Sequence, residues 1–388
     1  MTYSSDSVLT VFDGSKPNKR IHTMCLDFLI NKNGNEYAVN GRSMEFADEL
    51  GSRLFFRKAG YQYHSTARLE RCQFSWIGKY SFVSMNAFNL DVAVDGMNTD
   101  GLSGGMLWLP GSEYPENINP ANTISSVDFL QWMLSSFSRC NEVISALGRN
   151  VSDGADLHTF FEYEPLPGTQ PQVNVSKISY KDLGISDSND FFPLHYSIND
   201  ATGHSIVIEF IAGKMHIYNN PVHVCTNVPE FPVHLQNLRN YVNLQKTNIT
   251  TASFNSYVVE ATGNGTGLLG MPGDLTPPSR FVRAVAITSF ADQPVSSDEA
   301  MNLAFHILNT TDIPKGVLKE PGEQGAEDYT QWVVSKDLIN NVYAIRYYDS
   351  PQVTAVRLDD LDWEALDGKC YKPVSSLYHT ISNSELGK

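Results

Sequence analysis

The sequence is organised around Thr23-Met24-Cys25-Leu26-Asp27-Phe28-Leu29-Ile30 and the segment that follows it, Gly41-Arg42-Ser43-Met44-Glu45-Phe46. Apolar residues at every second position from Leu26 to Ile30 have the period of a β-strand. The turn residues Asn33-Gly34-Asn35 stand between the two segments, so the pattern predicts a β-hairpin. A cysteine at the head of the first strand and an arginine on the second face one another across such a hairpin.

The composition is that of a globular protein and excludes several functional classes. Hydrophobic residues make up 41% of the 388 residues, and charged residues make up 18%. The formal net charge of -15, without any long basic run, argues against nucleic-acid binding. No apolar run approaches the ~18 residues of a membrane span, and residues 1–24 lack the apolar core of a secretory signal.

The cysteines indicate a reducing compartment. There are five, they lie far apart, and none forms a CxxC pair. This spacing predicts neither a disulfide framework nor a structural zinc site, so we expect a cytoplasmic protein.

Strands and helices occur in separate blocks along the chain rather than in strict alternation. Blocks of this kind predict antiparallel sheets with helices on their outer faces, an α+β layered fold. The polar residues 1–24 form a predicted leader, and residues 25–388 form a single predicted domain because no linker interrupts them. Helices are predicted at about 126–137, 141–147, 233–241, 277–290 and 297–308.

Cys25 stands apart from the other cysteines because Met24 precedes it. Most free cysteines are small buried hydrophobes, and that interpretation suffices for Cys72, Cys140, Cys225 and Cys370. If the chain began at Cys25, its α-amine, with a pKa near ~8, could take the proton of a thiol with a pKa near ~8.5. No histidine would then be needed, and a neighbouring Arg42 would lower the pKa of the thiol.

Five segments, two of them in the predicted hairpin, occur in a fixed order along the chain, and together they carry a resemblance. The sequence resembles the choloylglycine hydrolase family, which contains conjugated bile salt hydrolases and penicillin V acylases. The resemblance extends from Cys25 through at least Leu308. The segments are Met24-Cys25, Gly41-Arg42-Ser43-Met44-Glu45, Asp95-Gly96-Met97-Asn98-Thr99-Asp100-Gly101-Leu102, Cys225-Thr226-Asn227-Val228-Pro229 and the run from Gly265 to Arg283.

The resemblance implies an N-terminal nucleophile hydrolase with a four-layer αββα fold and two antiparallel sheets, often assembled as a homotetramer. It implies hydrolysis of a linear amide C–N bond in a small acyl-amide substrate, without a metal or an organic cofactor. The implied site consists of the nucleophile Cys25, the thiol-side Arg42, the amine-holding Glu45, the oxyanion donors Asn227 (side chain) and Trp108 (backbone N–H), and a second arginine, Arg280.

Two departures leave the substrate open. Glu45 stands where the family usually has aspartate, and Trp108 stands where many bile salt hydrolases have asparagine. Trp108 resembles the penicillin V acylases of Gram-negative type, whereas residues 266–283 resemble Gram-positive bile salt hydrolases. The candidate acyl groups are a bile acid, a phenoxyacetyl group and the fatty acyl chain of an acyl-homoserine lactone. A catalytically silent relative that binds ligands or has a structural role is the alternative from another class.

Overall fold

The computed structural model describes residues 24–31, 36–66, 69–116, 118–151, 157–319 and 327–373. The helices are α1 (Phe129–Ser136), α2 (Cys140–Ala146), α3 (Phe231–Asn237), α4 (Pro277–Phe290), α5 (Ser297–Asn309) and α6 (Trp363–Leu366). The strands are β1 (Cys25–Asn31), β2 (Ala38–Phe46), β3 (Leu54–Arg57), β4 (Gln62–His64), β5 (Ser75–Ile77), β6 (Phe82–Met85), β7 (Asp95–Asn98), β8 (Leu102–Trp108), β9 (Thr123–Ser125), β10 (Asn174–Ser176), β11 (Leu194–Asp200), β12 (Ser205–Ile211), β13 (Lys214–Asn219), β14 (Val224–Cys225), β15 (Thr251–Phe254), β16 (Tyr257–Glu260), β17 (Leu318–Lys319), β18 (Glu327–Asp337), β19 (Val342–Tyr347), β20 (Ser350–Arg357) and β21 (Cys370–Tyr371).

The predicted hairpin is formed by β1 and β2, which pair antiparallel with Cys25 opposite Met44 and Asp27 opposite Arg42. The predicted turn at residues 33–35 lies outside the described residues. Asp27 accepts hydrogen bonds from the second sheet, so the alternate residues Leu26, Phe28 and Ile30 point to the opposite face. Both faces of β1 are buried, which explains why its sequence contains so few polar residues.

Two antiparallel sheets form the centre of the protein. The first has the strand order β14-β1-β2-β18-β19-β20, with β17 beside β18. The second has the order β13-β12-β11-β8-β7-β6-β3-β21. Both contain neighbours that are far apart in sequence, such as β2 with β18, so the fold depends on long-range pairing.

Helices cover the outer faces of both sheets. α4 and α5 pack on β1, β2 and β18, and α1 and α2 pack on β7, β8 and β11 of the other sheet. The order helix, sheet, sheet, helix is the four-layer αββα sandwich that the resemblance implied, and this prediction is confirmed. No helix within the described ranges is both long enough and apolar enough to cross a bilayer.

Local predictions differ from the structure at three places. The alternation from Asp91 onward indicates a strand that begins there, but β7 begins at Asp95, and Val92 and Val94 before it line a cavity. The apolar alternation over 222–227 indicates a longer strand, but only β14 forms, and beyond it Asn227 accepts a hydrogen bond from the Cys25 nitrogen. The hairpin of β15 and β16 was not predicted, because its side chains are mostly exposed and show no buried alternation.

Candidate active site

Cys25 is the first residue of β1, and three hydrogen bonds fix the backbone at and just before it. Its nitrogen donates to Oδ1 of Asn227 at 2.5 Å, and its carbonyl oxygen accepts from Nη1 of Arg280 at 2.9 Å. The carbonyl oxygen of Met24, just before it, accepts from the backbone N–H of Glu45 at 2.9 Å. The side chain of Cys25 is 2% exposed, so the bond that joins it to Met24 is fixed inside the protein.

Arg42 lies beside the thiol as the hairpin predicted. Its Nη2 is 3.9 Å from Sγ of Cys25 and donates to the carbonyl of Met106 at 2.5 Å. The two residues are diagonal neighbours on the hairpin, because Arg42 pairs with Asp27 and Cys25 pairs with Met44. The guanidinium is completely buried between the sheets.

Glu45 and Arg280 form a buried ion pair close to Cys25. Oε2 of Glu45 is 3.7 Å from Nη1 of Arg280, and its Oε1 accepts from the hydroxyl of Thr330 at 2.9 Å. Among the described residues, Oε2 of Glu45 receives no hydrogen bond. Burial raises the pKa of the Glu45 carboxyl to about 7, and the nearby Arg280 charge opposes that rise. Arg280 lies in the first turn of α4, where Pro277 starts the helix, as predicted.

Asn227 connects Cys25 with Trp108. Its Nδ2 donates to the Trp108 carbonyl at 2.8 Å, and its Oδ1 accepts from Nη2 of Arg280 at 3.0 Å in addition to the Cys25 nitrogen. The N–H and the C=O of a strand residue point to the same side. The N–H of Trp108 therefore points to the side on which Asn227 lies. All six predicted site residues are brought together around Cys25, with Arg42 on the side of the second sheet and the Glu45–Arg280 pair on the side of α4.

The thiol of Cys25 is not activated in the full-length chain. Burial raises its pKa above the ordinary value, the charges of Arg42 and Arg280 act in the opposite direction, and the charge of Glu45 adds to the rise. The net direction is upward. A thiol whose pKa is raised above its ordinary value stays neutral near roughly pH 7.

An apolar cavity opens beside Sγ of Cys25. Its volume is about 540 Å³, including the open mouth, and apart from Cys25 its lining side chains are aliphatic, aromatic or thioether. The sequence leaves Leu26, Phe28, Phe82 and Met85 open as lining of an acyl pocket or as core, and the structure places them in the packed core. The residues that line the cavity are Met44, Phe46, Leu50, Ala87, Phe88, Leu90, Val92, Val94, Met106, Leu107, Trp108, Val127, Leu183, Phe192 and Leu194.

Among the residues that the structure describes, one group of side chains has the composition of a metal site. Cys140, Asp200 and His204 have donor atoms within 4.8 Å of one another. Each of these atoms is already in use. Asp200 accepts from the Cys140 N–H at 2.8 Å, the thiol of Cys140 donates to backbone carbonyls, and Nε2 of His204 bonds with the hydroxyl of Tyr163 at 2.9 Å. The group fastens the start of α2 to the β11–β12 turn.

Sequence reasoning missed several buried polar residues around the site. Asp27, Asp95 and Lys336 are fully buried between the sheets near Arg42, and Thr330 holds Glu45. One signal in the sequence could have revealed them: a charged side chain inside an otherwise apolar strand. Such a charge is rarely buried without a partner, so it indicates a buried ion pair or hydrogen bond. The partners could not be identified, because Asp95 and Lys336 are separated by 241 residues.

The sequence profile described as linear amide C–N hydrolases, choloylglycine hydrolase family, matches residues 25–152 and 172–371. The chain belongs to this family. It is therefore a hydrolase of linear amide C–N bonds, as the resemblance implied, and the first matched residue is Cys25.

Individual proteins that are similar to this chain support its assignment to the choloylglycine hydrolase family. The chain is 31% identical over 304 residues to a bile salt hydrolase/transferase of Clostridium perfringens, covering 76% of this chain and 82% of the relative. It is 24% identical to a penicillin V acylase of Pectobacterium atrosepticum, covering 87% and 81%. The crystal structure of a variant conjugated bile acid hydrolase from Clostridium perfringens superposes with a TM-score of 0.75 at 26% identity, covering 92% of this chain and 100% of that one.

Proposed function

We propose that the mature protein begins at Cys25 and acts as an amidase through this N-terminal cysteine. The observation that carries the proposal is the position of Cys25, whose nitrogen, carbonyl oxygen and thiol each lie beside a different buried polar group. The start of the family match at Cys25 supports the same boundary. Residues 1–24 are then a leader, and residues 25–388 are the mature domain.

In the first step, the free α-amine of Cys25 takes the proton from its own Sγ. The ordinary pKa of an α-amine, ~7.7–8.0, suits a general base near neutral pH. The thiolate attacks the carbonyl carbon of the substrate, a C–S bond forms, and negative charge moves to the carbonyl oxygen. Arg42, with Nη2 at 3.9 Å from Sγ, stabilises the thiolate before the attack.

The oxyanion is stabilised by Asn227 and Trp108. The side-chain amide of Asn227 has two hydrogens, of which one is donated to the Trp108 carbonyl, so the second is available to the substrate. The backbone N–H of Trp108 points to the same side. A fixed donor of this kind lowers the barrier by ~3–4 kcal/mol.

Collapse of the tetrahedral intermediate completes acylation. The ammonium group of Cys25 gives its proton to the leaving nitrogen, the C–N bond breaks, and the acyl group remains on Sγ as a thioester. The amine then takes a proton from water, which attacks the thioester and releases the acid and the thiol. Glu45, whose Oε2 has an open acceptor position, holds the amine, while Arg280 fixes the Cys25 carbonyl and Asn227.

Removal of the leader has two routes. In one, Sγ of Cys25 attacks the carbonyl carbon of Met24, whose oxygen already accepts a hydrogen bond from the N–H of Glu45. The Met24–Cys25 C–N bond breaks as the thiol proton passes to the nitrogen, and water then hydrolyses the thioester, which releases the leader as an acid and restores the thiol. Another protease could cut the same peptide bond instead. In the other, synthesis starts at Met24, and an aminopeptidase removes this methionine because cysteine is small. Both routes yield the same mature chain, and the uncut chain is inactive because it has no free amine at Cys25.

The substrate has an apolar acyl group. The cavity beside Cys25 supports this proposal because a polar acyl group would lose its hydrogen bonds to water without replacement. The names of the relatives supply two candidates, the acyl groups of conjugated bile salts and of penicillin V. The acyl chain of an acyl-homoserine lactone is a third.

The same proposal includes a homo-oligomeric assembly and a cytoplasmic location. The exposed hairpin of β15 and β16, with Phe254, Tyr257 and Val258 each more than 60% exposed, supports contact with a second copy and hence a homo-oligomer such as a tetramer. All five cysteines are unpaired, which supports the reducing cytoplasm.

The proposal is tested by the mass of the purified protein together with four assays. We expect a mass that begins at Cys25 and hydrolysis of at least one of glycocholate, taurocholate, penicillin V and a long-chain acyl-homoserine lactone. The Cys25→Ala variant should be inactive on all of them. The control is Cys370→Ala, because Cys370 is an exposed cysteine on the edge strand β21.

Two outcomes would reject the proposal. Full activity in a protein that retains residue 1 would exclude the amine as the base. A mature terminus at Cys25 without hydrolysis of any acyl amide would favour a ligand-binding relative.

A further inference from the structure

A buried charge cluster lies between the two sheets, directly behind the candidate active site. It consists of Asp27 on β1, Arg42 on β2, Asp95 on β7 and Lys336 on β18, and each of these residues has 0% exposure. Only Arg42 has a role in the reaction proposed above. The other three need an explanation, because charged residues are rarely buried at this depth without a partner.

Asp95 binds Lys336 rather than Arg42. Its Oδ1 is 2.6 Å from Nζ of Lys336, and its Oδ2 accepts from the hydroxyl of Tyr343 at 2.6 Å. The nearest approach of Arg42 is Nε, at 3.8 Å from Oδ1. The two close donors occupy both carboxylate oxygens, so Arg42 is left without a tight ion pair.

The guanidinium of Arg42 packs directly against Gly105 on β8. A Cβ atom built on Gly105 would lie 1.9 Å from Nη1 and 2.9 Å from Cζ of Arg42, so only a hydrogen fits there. The next residue, Met106, accepts from Nη2 at 2.5 Å. Within the described part of the chain, Nε and Nη1 make no hydrogen bond, so the guanidinium is positioned by its contact with the β8 backbone and by the ring of Trp332, whose centroid lies 5.9 Å from Cζ.

We infer that Lys336 and Gly105 are positioning residues that keep the Arg42 guanidinium away from Asp95 and beside the thiol of Cys25. The inference rests on the proposed function insofar as Cys25 is the nucleophile. Without Lys336, Asp95 would have Arg42 as its nearest cation and would draw the guanidinium away from Sγ. With a side chain at residue 105, the guanidinium would lose its place on β8.

The remaining charges near these groups are few. The thiol of Cys25 faces Arg42 on β2 and lies near the buried thiol of Cys225 on β14, and the charges of Glu45 on β2 and Arg280 on α4 also act on it, whereas β8 contributes Met106, which has no charge. Arg42 also faces Asp27, opposite it on β1. One oxygen of Asp27 accepts from Asn40, Ser197 and Asn199, at 3.1, 2.7 and 2.9 Å.

The first experiment compares Gly105→Ala with Gly104→Ala. A Cβ atom on Gly104 points to the opposite face of β8, toward Leu130 and Ile198, so this variant adds the same methyl group without touching Arg42. Alkylation of Cys25 in the mature protein by iodoacetamide is followed against pH by mass spectrometry. We expect Gly105→Ala to raise the pH midpoint of the alkylation rate by about one pH unit and to slow alkylation near roughly pH 7 by about tenfold. In the hydrolysis assay, the same variant should lower kcat rather than raise KM.

Gly104→Ala should keep the wild-type midpoint. A folded Gly105→Ala protein with the wild-type midpoint, or equal shifts in both variants, would overturn the role of Gly105.

The second experiment changes charge instead of shape. We expect Lys336→Met to raise the midpoint in the same direction, because Asp95 then attracts Arg42. The double variant Lys336→Met with Asp95→Asn removes the attraction and should return the midpoint toward the wild-type value. A merely structural role would lower the thermal midpoint without moving the pH midpoint, and that result, or a double variant that stays shifted, would overturn the inference.

The two proposals fail in different ways. Alkylation does not require a substrate, so a protein that hydrolyses no amide still reports the effect of Lys336 and Gly105 on the thiol. A Cys25 thiol that reacts in the pattern described, without amide hydrolysis, rejects only the proposed function.

Discussion

Oδ1 of Asn227 lies 2.5 Å from the backbone nitrogen of Cys25, although 202 residues separate the two along the chain. The same amide group donates to the Trp108 carbonyl at 2.8 Å. Asn227 therefore touches the atom that would become the catalytic amine and the strand end that would bind the oxyanion. Its position links the first sheet, through β1, with the second, through β8.

Asn227→Ala should lower kcat/KM by about 10²–10³-fold, because an oxyanion donor and a contact of the amine are lost together. Asn227→Asp is the matched variant. It keeps the size and the acceptor oxygen but loses both N–H donors, so we expect a loss of similar size. Steady-state kinetics on the best substrate checks both. Near-normal kcat/KM in Asn227→Asp would exclude the oxyanion role.

The stability of the uncut chain should depend on pH through Glu45. Its pKa is raised from 4.5 to about 7 by burial, so the folded protein binds more protons than the unfolded chain between these values. The free energy of unfolding should therefore be highest below the unfolded pKa and should fall as pH rises through about 7, by up to ~3 kcal/mol.

Urea unfolding of an uncut protein at several pH values, compared with Glu45→Gln, measures this effect. Asp is not a suitable replacement, because it keeps the ionisation. The variant should lack the part of the pH dependence that Glu45 causes. Parallel curves for the two proteins would contradict the assignment.

Ala87→Leu should make the enzyme selective for small acyl groups. Ala87 lines the cavity beside Cys25 and is 2% exposed, so added methyl groups fill space that a bulky acyl group needs. We expect kcat/KM for the bulkiest substrate to fall by about 10–100-fold, while alkylation of Cys25 by iodoacetamide stays unchanged. Ala87→Gly is the matched variant in the opposite direction and should retain the bulky substrate. Equal losses on bulky and small substrates would place the acyl group elsewhere.

Asn98→Ala should destabilise the fold by about 3 kcal/mol, because all four hydrogen-bonding positions of the side chain are used. Its Nδ2 donates to the carbonyls of Leu134 and Phe137 at 2.8 and 2.7 Å, and its Oδ1 accepts from the N–H groups of Asp100 and Leu102 at 3.0 Å. The residue thus closes the β7–β8 turn and fastens the end of α1 to it. Chemical unfolding measures the change, with the exposed Asn240→Ala as a control expected within about 0.5 kcal/mol.

Local patterns predicted the elements whose signals are themselves local. The β1–β2 hairpin followed from alternation and a turn, and α4 followed from a proline at its start and apolar residues at helical spacing. The alternation did not reveal which face of β1 meets the other sheet. Leu26 and Phe28 were therefore left open as pocket or core residues, and the structure places them in the core.

The site itself could not be predicted from spacing. Cys25, Asn227 and Arg280 come from three distant parts of the chain, and only the resemblance to a known family placed them together. The partners of Asp95 were not predicted at all, because a buried ion pair between strands of different sheets leaves no periodic signal. Long-range strand pairing determines these contacts, and a single sequence does not display it.

The pairing of Cys25 with Met44 makes the chemistry depend on strand register. Successive residues of a strand point to opposite faces, so a slip of β1 by one residue along β2 would place Leu26 beside Arg42 and turn the thiol toward the helices. A single-residue insertion or deletion inside either strand should therefore be more damaging than most substitutions. The register of β1 on β2, rather than the length of the connection between them, therefore sets the 3.9 Å distance from Sγ of Cys25 to Nη2 of Arg42.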